Sequence, residues 1–503
     1  MSVEAELKFR VAPRKLSSLA KARLVGARYG SRSHQNLVTT YFDTTKHKLK
    51  RNGLTLRVRQ AGDNHIQTVK SVTSEALFRG EWETELDGAT PDLAKAQETP
   101  LGKLITRKLQ RKLKPVFRTS VHRLALPIRT RGSEIELAVD RGNITSGTRS
   151  RPIAEFELEL KHGNRADLFR IARSFERKAG AELDLQSKSE KGYQLAARRR
   201  ESASHAEPIH LDRKVSASEA FTAIASSTFR HFAINADPLR HFDAEAVHQM
   251  RVGLRRTRAA ISLFDDVLPR ASTAGIKEEI VWLTAELAPA REIDVLLKER
   301  VRPITKAGPP KRGFRAIEKK FAMQRTKAFK RASRAVGSPR FRRLLIDMLE
   351  WIETRKAPSD KEKRIGPYAA ELLDRRMKKA RKQGKRLNKL SPQQRHKLRI
   401  RIKKIRYALD FFEHLYDSSD RKEIAQLSSR LKSVQSALGA LNDFMAHREL
   451  ATEAALTAPK ANRRAQAFAS GFLVGQEQEA ASGLLKAARR ELQHLRPLTA
   501  EPR

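Results

Sequence analysis

Four short stretches of the chain carry charged side chains at alternate positions, and a fifth ends on a lysine. Glu4, Glu6 and Lys8 stand two apart in "VEAELKFRV", Arg57 and Arg59 in "LTLRVRQ", Glu81, Glu83 and Glu85 in "GEWETEL", and Glu155, Glu157 and Glu159 in "IAEFELELK", while Lys70 ends "IQTVK". Successive side chains of a strand point to opposite faces, so each set shares a face and residues such as Val3, Ala5, Leu7 and Phe9 pack on the other. One such strand is ordinary, because half-buried antiparallel strands put their charges in water. Several together sort acids and bases onto like-facing positions, and closing such a sheet would gather both rows around one lumen. Carboxylates at i and i+2, about 7 Å apart, can share a hard cation such as Mg²⁺ or Mn²⁺ with a neighbouring strand's carboxylates. Lys and Arg opposite would hold phosphate oxygens, and positioning with charge is most of what phosphoryl transfer requires.

A second pattern is helical. His248, Arg251, Arg255 and Arg258 fall within an arc of about 80° at about 100° per residue, with Met250, Leu254, Ile261 and Phe264 opposite. His396, Arg399, Lys403 and Arg406 repeat the stripe, backed by Leu398, Ile402, Ile405, Leu409 and Phe412. The stretches 246–268 and 394–416 are copies of one another, and "LAPAREID" echoes "LGALNDFM" downstream. Each helix should bury one face and offer phosphate-binding groups from the other. A solvated basic face would explain one such helix. Matched duplication, with His at the head of both stripes, points instead to an anion, since protonated His donates two hydrogen bonds. The stripes hold only cations, which argues against metal ligation there.

The elements that must position these groups follow the apolar period. It is mostly two up to about residue 200, with short helices expected at 13–26, 91–110 and 165–180, and helical after the polar stretch "RRRESASHAEPIHLD". The expected organisation is a strand-rich domain over 1–200, a linker over 201–213, and a helical bundle over 214–497 whose repeats span about 214–300 and 340–450. A chain of 503 residues is too long for one ordinary core.

Lys and Arg number 103 against 57 Asp and Glu, a formal charge of +46 that calls for a polyanionic partner. Residues 311–410 alone hold 34 Lys and Arg against 9 Asp and Glu. Nucleic acid, anionic membrane and polyphosphate all satisfy that charge. Aromatic residues make up only 6%, leaving few stacking platforms, and no helix-turn-helix or RRM signature occurs, so nucleic acid is expected to bind only nonspecifically. Cys is absent, which removes thiolate metal sites and cysteine nucleophiles. No apolar run approaches about 18 residues and the first residues form a charged strand, so neither a membrane span nor a signal peptide is expected, and the expected location is cytoplasmic.

"EAELK" fits the ExExK signature of CYTH domains, the triphosphate tunnel metalloenzymes, and "YFDT", "LRVR", "TVK", "VFRTSVHR", "ELAVDRG", "EFELEL" and "SKSEKGY" follow in that family's order. Over about residues 1–197 the chain resembles this family. The resemblance implies an eight-stranded antiparallel β tunnel with flanking helices that cleaves a triphosphate with a divalent metal, Mg²⁺ or Mn²⁺. By motif, Glu4, Glu6, Asp140, Glu157 and Glu159 correspond to metal ligands, with Glu81 at a further acidic position. Lys8, Arg57, Arg59, Lys70 and Arg123 correspond to phosphate clamps, with Arg118 and Lys188 as additions. Lys46 stands where the family often has an acid. Members joined to a histidine-rich helical domain resemble inorganic triphosphatases, so inorganic triphosphate is the expected substrate. ATP cyclisation or another organic triphosphate is the alternative.

Residues 208–497, with "HQMR", "HKLR", "REID" and "LND", resemble the CHAD domain, the conserved-histidine α-helical domain. This implies an all-α duplicated bundle binding inorganic polyphosphate in a basic groove, which would hold the chain at polyphosphate granules, and gives the whole an α+β multidomain architecture. Asp294 and Asp443 are expected to orient basic helices by salt bridges. A nonenzymatic polyanion-binding protein is the reading from a different class.

Overall fold

The computed structural model describes residues 5–21, 23–24, 26–71, 80–130, 132–198, 201–303, 311–355, 362–417 and 419–495. The chain forms two compact units, one of Met1–Ser204, Ala233–Pro238 and Val336–Arg355, the other of His205–Phe232, Leu239–Ala335 and Lys356–Arg503. Two segments beyond the change in period thus belong to the strand-rich unit, a partition that periodicity alone does not reveal.

The first unit is built on an antiparallel sheet of eight long strands and two short ones: β1 (Ala5–Arg10), β2 (Arg28–Tyr29), β3 (Ser33–Thr44), β4 (Leu54–Ala61), β5 (Asn64–Ser71), β6 (Glu81–Leu86), β7 (Leu113–Thr130), β8 (Ser133–Ser146), β9 (Arg149–His162) and β10 (Glu182–Leu183). Their order is β10-β1-β9-β8-β7-β3-β4-β5-β6, with β2 on β7. The alternation read from sequence holds in β1, where Ala5, Leu7 and Phe9 are buried and Phe9 stacks on Phe156 of β9 at 5.0 Å. Pairing of Lys8 with Glu157, Asp140 with Glu155, Arg123 with Asp140, Arg59 with Thr39 and Lys70 with Glu81 puts all the charged rows on one face. That face curls on itself: β1 and β5 are far apart in the strand order, yet the Lys70 ammonium acts on the Glu6 carboxyl.

Five helices flank the sheet: α1 (Leu16–Lys21), α2 (Lys48–Arg51), α3 (Arg107–Lys112), α4 (Arg165–Ala179) and α5 (Lys188–Ala196). The helix expected over 91–110 is mostly turns, because Pro100 and Gly102 interrupt it, and only α3 forms. The helix expected over 13–26 shrinks to a 3-10 turn and α1. α4 lies where expected, with Asn164 accepting a hydrogen bond from Ala166 N at its start and Gly180 left-handed at φ 64° at its end. Its buried Phe175 meets Phe156 at 5.3 Å.

The later helices are α6 (Ala217–Ile234), α7 (Ala236–Arg240), α8 (Ala244–Leu263), α9 (Arg270–Leu296), α10 (Lys311–Val336), α11 (Pro339–Glu353), α12 (Ile365–Gly384), α13 (Pro392–Phe412), α14 (Arg421–Leu456) and α15 (Arg463–Gln493). Of these, α11 packs on α4 within the first unit, through Arg173 with Asp347 at 2.8 Å and Arg342 with the buried Glu176 at 3.0 Å. In the second unit α8 and α13, the two copies, lie together, each packed on the helix that follows it. Met250, Leu254, Ile261, Phe264, Leu398, Ile402, Ile405, Leu409 and Phe412 are all at most 1% exposed, as the stripe pattern requires. Phe264 and Phe412 approach to 6.1 Å, joining the apolar faces of the copies. Asp294, 1% exposed, receives Arg325 Nε at 2.7 Å and Lys298 Nζ at 3.1 Å, the structural role expected of it. The Asp443 side chain lies outside the described residues.

Candidate functional site

The inner face of the curled sheet holds two linked sets of charges. On β7, β8 and β9, Arg123 grips both oxygens of the fully buried Asp140 and reaches Glu157 at 2.5 Å. Lys188, from α5, places its ammonium 2.7 Å from Asp140, 2.7 Å from Glu155 and 2.8 Å from Glu157. Burial pushes the Glu157 carboxyl up, but Lys188 and then Arg123 outweigh it, and it titrates far below the usual carboxylate range. The same three carboxylates raise Lys188 well above an ordinary lysine despite its burial.

On the opposite wall Arg57 donates to Glu81 at 3.0 Å, and Lys70 pairs with the same carboxylate. Burial first and Arg57 second lower Lys70 to about 8, while Arg57 first and burial second lower Arg59 to about 10. Arg59 also feels Arg123 and Glu83, which places it between the walls. The Nε atoms of Arg57 and Arg59 are buried with no hydrogen-bond acceptor among the described residues. Two neighbouring guanidinium donors left unmet in a lumen are suited to an anion.

β1 completes the ring. Lys8 donates to the carbonyl of Gln186 and lies 3.9 Å from Asp184. Glu6 projects beside Glu157; water reaches it although protein surrounds it on most sides, and that enclosure first and Glu157 second raise it to about 7. Glu159 faces Glu6 across the ladder and pairs with Lys161 at 2.6 Å. Glu4 lies outside the described residues.

The carboxylates test whether a hard divalent cation fits. Asp140, Glu155 and Glu157 bring one oxygen each within 4.8 Å of one another, an all-oxygen donor set. Lys188 and Arg123 already neutralise that trio, so an ion there competes with Lys188. Among the described residues Glu6 forms no ion pair, and it sits against Glu157, so the Glu6 and Glu157 edge is where positive charge is most wanted. The residues fit the ion.

Of the expected clamps, Arg118 does not join them. It is five residues from Arg123 on β7 with no register shift between them, an odd separation that turns it to the opposite face, where it is exposed. Four groups that the motifs did not mark as metal ligands or clamps do join. Glu155 is 1% exposed and holds Lys188 and Lys191. Lys191 also pairs with Asp184, which is held at about 2 because Lys8 and then Lys191 outweigh burial. Glu155 shares the parity of Glu157, and Lys191 lies one helical turn after Lys188, so both signals were present in sequence. Glu83 accepts from Thr68 at 3.1 Å and flanks Arg57 at 3.9 Å.

In the helical unit His248, Arg251 and Arg255 are half-buried and Arg258 is exposed on α8, while His396 is exposed and Arg399, Lys403 and Arg406 are half-buried on α13. Arg255 Nε lies 3.4 Å from the Tyr407 hydroxyl, so the stripes of the two copies face a common region. Burial first and Arg291 second lower His248, with Arg255 and Arg251 adding to the effect. Arg291, from the "REID" segment, is a cation of this cluster that the stripe pattern missed because it comes from α9. Arg251 and Arg406 each bury an Nε with no acceptor among the described residues.

Residues 2–193 match the family model described as the CYTH domain, and residues 223–452 the one described as the CHAD domain. A protein of Haemophilus influenzae named inorganic triphosphatase is 31% identical over 205 residues, covering 39% of this chain and 56% of its own length. The chain thus spans little more than half of that relative. An uncharacterized protein of Mycobacterium tuberculosis is 24% identical over 528 residues, covering 97% of this chain and 96% of its own. The crystal structure of the CHAD domain from the plant Ricinus communis aligns with a TM-score of 0.51 and 30% identity over 60% of this chain and 99% of that one. No described helix is long and apolar enough to cross a membrane. Ordered motifs, curled sheet and paired basic helices agree with both matches: the chain joins a CYTH domain to a CHAD domain.

Proposed function

We propose that the N-terminal domain hydrolyses inorganic triphosphate with Mg²⁺ or Mn²⁺, and that the helical domain binds inorganic polyphosphate. The observation that carries the first part is the unmet pair of guanidinium donors on Arg57 and Arg59, facing Arg123, Lys8 and Lys70 and rimmed by Glu6, Glu157 and Glu159. Arg57, Arg59 and Lys70 would orient the phosphate chain, and Lys8 and Arg123 would spread its negative charge as the bridging bond breaks. A divalent ion held by Glu6 and Glu157, with Glu159, Asp140 and Glu4 as further oxygen donors, supplies charge neutralisation and Lewis acidity. The Haemophilus influenzae relative supports the substrate class.

Polyphosphate suits the helical domain because both stripes are cationic and bury guanidinium donors without acceptors, and few aromatics are available to stack bases. Such binding would place the protein at polyphosphate granules in the cytoplasm. The test is phosphate release from inorganic triphosphate with Mg²⁺ or Mn²⁺, with EDTA, ATP and long-chain polyphosphate in parallel. Release abolished by EDTA is expected. No release from any of them would leave a polyanion-binding protein, and cyclic AMP from ATP would favour the cyclase alternative.

A further inference from the structure

The two copies of the basic helix differ where they meet. The correspondence of His248 with His396 makes Arg256 of α8 equivalent to Lys404 of α13, and Ser262 equivalent to Asp410. The helices run antiparallel, Arg255 lying by Tyr407 and Ser262 by Lys404, so each cation reaches towards the other copy's short polar residue. Lys404 donates to the Ser262 hydroxyl at 2.7 Å. Arg256, 7% exposed, lies 5.4 Å from the centre of the Phe411 ring and feels the Asp410 carboxylate. Equivalent positions thus carry a carboxylate on one side of the helix pair and a neutral hydroxyl on the other.

The hydroxyl side gathers unmatched cations. From α12, Arg376 donates from Nη2 to the Ser262 carbonyl at 2.6 Å, while its Nε is buried with no acceptor among the described residues. Burial first and Arg376 second lower Lys404, with Arg258 and Arg401 adding to the effect and Asp265 opposing it. Burial also lowers Arg376, again against Asp265. The neighbouring Asp266 is engaged by Arg375 at 3.1 Å. On the carboxylate side burial raises Asp410, and Arg406 and then Arg256 pull it down, so there the protein supplies its own anion.

Lys404 and Arg376 are both anchored on Ser262. Beyond those bonds the ammonium keeps two N–H groups, the hydroxyl its O–H and the guanidinium its Nε–H. Several donors, two of them charged, suit the oxygens of a phosphoryl group. We propose that Lys404, Arg376 and Ser262 form a phosphoryl-binding pocket open in the first copy, whose equivalent in the second copy is filled by Asp410, so that one side of the helix pair takes an anion and the other does not. The pocket rests on the proposed polyphosphate reading only for the source of the phosphoryl group, since free phosphate meets the same donors.

The experiment is acylation footprinting of Lys404 in the full-length protein, read by mass spectrometry, with inorganic phosphate and long-chain polyphosphate as separate probes. In the unaltered protein each probe at ten times its Kd should slow Lys404 acylation about tenfold. Ser262→Asp places a carboxylate where the second copy has one, and neither probe should then change the rate. Ser262→Asn, similar in size but uncharged, should keep the protection. Asp410→Ser should open the second position and raise polyphosphate affinity, measured by calorimetry, about tenfold, the gain of one charge-assisted hydrogen bond. Unchanged acylation with both probes, or protection that persists in Ser262→Asp, would overturn the pocket even if polyphosphate still binds at the histidine stripes. Equal loss in Ser262→Asn would overturn the role of charge. Protection by phosphate with no binding of long-chain polyphosphate would keep the pocket and reject the polyphosphate reading, so the two fail separately.

Discussion

Arg123 donates from Nε and Nη2 to the two oxygens of Asp140, each at 2.7 Å, directly across the β7–β8 ladder. Asp140 is wholly buried, and removing Arg123 leaves Lys188 alone to balance the clustered carboxylates of Asp140, Glu155 and Glu157. Arg123→Met is therefore expected to destabilise the first unit by about 3 kcal/mol, read by urea unfolding, and to abolish turnover. A loss under about 1 kcal/mol, the range of an exposed pair, would contradict the assignment of a buried clamp.

Glu6 should set a pH dependence for the proposed metal binding. Its carboxyl is raised to about 7, so below that value it carries a proton that a divalent ion must displace. Mn²⁺ affinity should rise with pH through about 7 and level off above it. Calorimetry in two buffers of different ionisation enthalpy should count close to one proton released at pH 6 and almost none at pH 8.5. Glu6→Gln should lose that release; an unchanged proton count would assign it to another group.

Asp184 gives the opposite sign. Its folded value of about 2 lies below the ordinary 3.8, so its contribution to stability is fully present above the ordinary value and is lost as pH falls through 2. Acid unfolding should be less steep between pH 4 and 2 in Asp184→Asn, which is also less stable at pH 7. Identical slopes would place the acid sensitivity elsewhere.

Changing His248 and His396 together to Ala should weaken polyphosphate binding, about 1.5 kcal/mol for each charge-assisted hydrogen bond lost, or about tenfold each. Because burial and Arg291 lower His248 from the ordinary histidine value of 6.5, affinity in the unaltered protein should rise as pH falls below 6.5. Triphosphate turnover should stay nearly intact. Parallel loss of both activities would contradict two separate sites.

Arg342 on α11 donates to the 3% exposed Glu176 of α4. Arg342→Ala should lower stability by about 3 kcal/mol as measured by thermal unfolding, although residue 342 lies far from the tunnel in sequence. A change within about 0.5 kcal/mol would mean that α11 is dispensable to the first unit.

Period-two alternation was enough to assign Glu6, Lys8, Arg57, Arg59, Lys70 and Glu157 to shared strand faces, and a 100° step was enough to separate the cationic stripes from their apolar backs, because both depend only on local backbone geometry. Even the misplacement of Arg118 was legible in its odd distance from Arg123. What depended on tertiary structure was every relation between distant segments: Lys188 of α5 entering among Asp140, Glu155 and Glu157, Arg291 joining His248, and α11 leaving its neighbours in sequence to pack on α4. Side-chain direction follows from the residue's own φ and ψ, whereas which charges face one another follows from sheet curvature and helix packing, and these are set by the whole core.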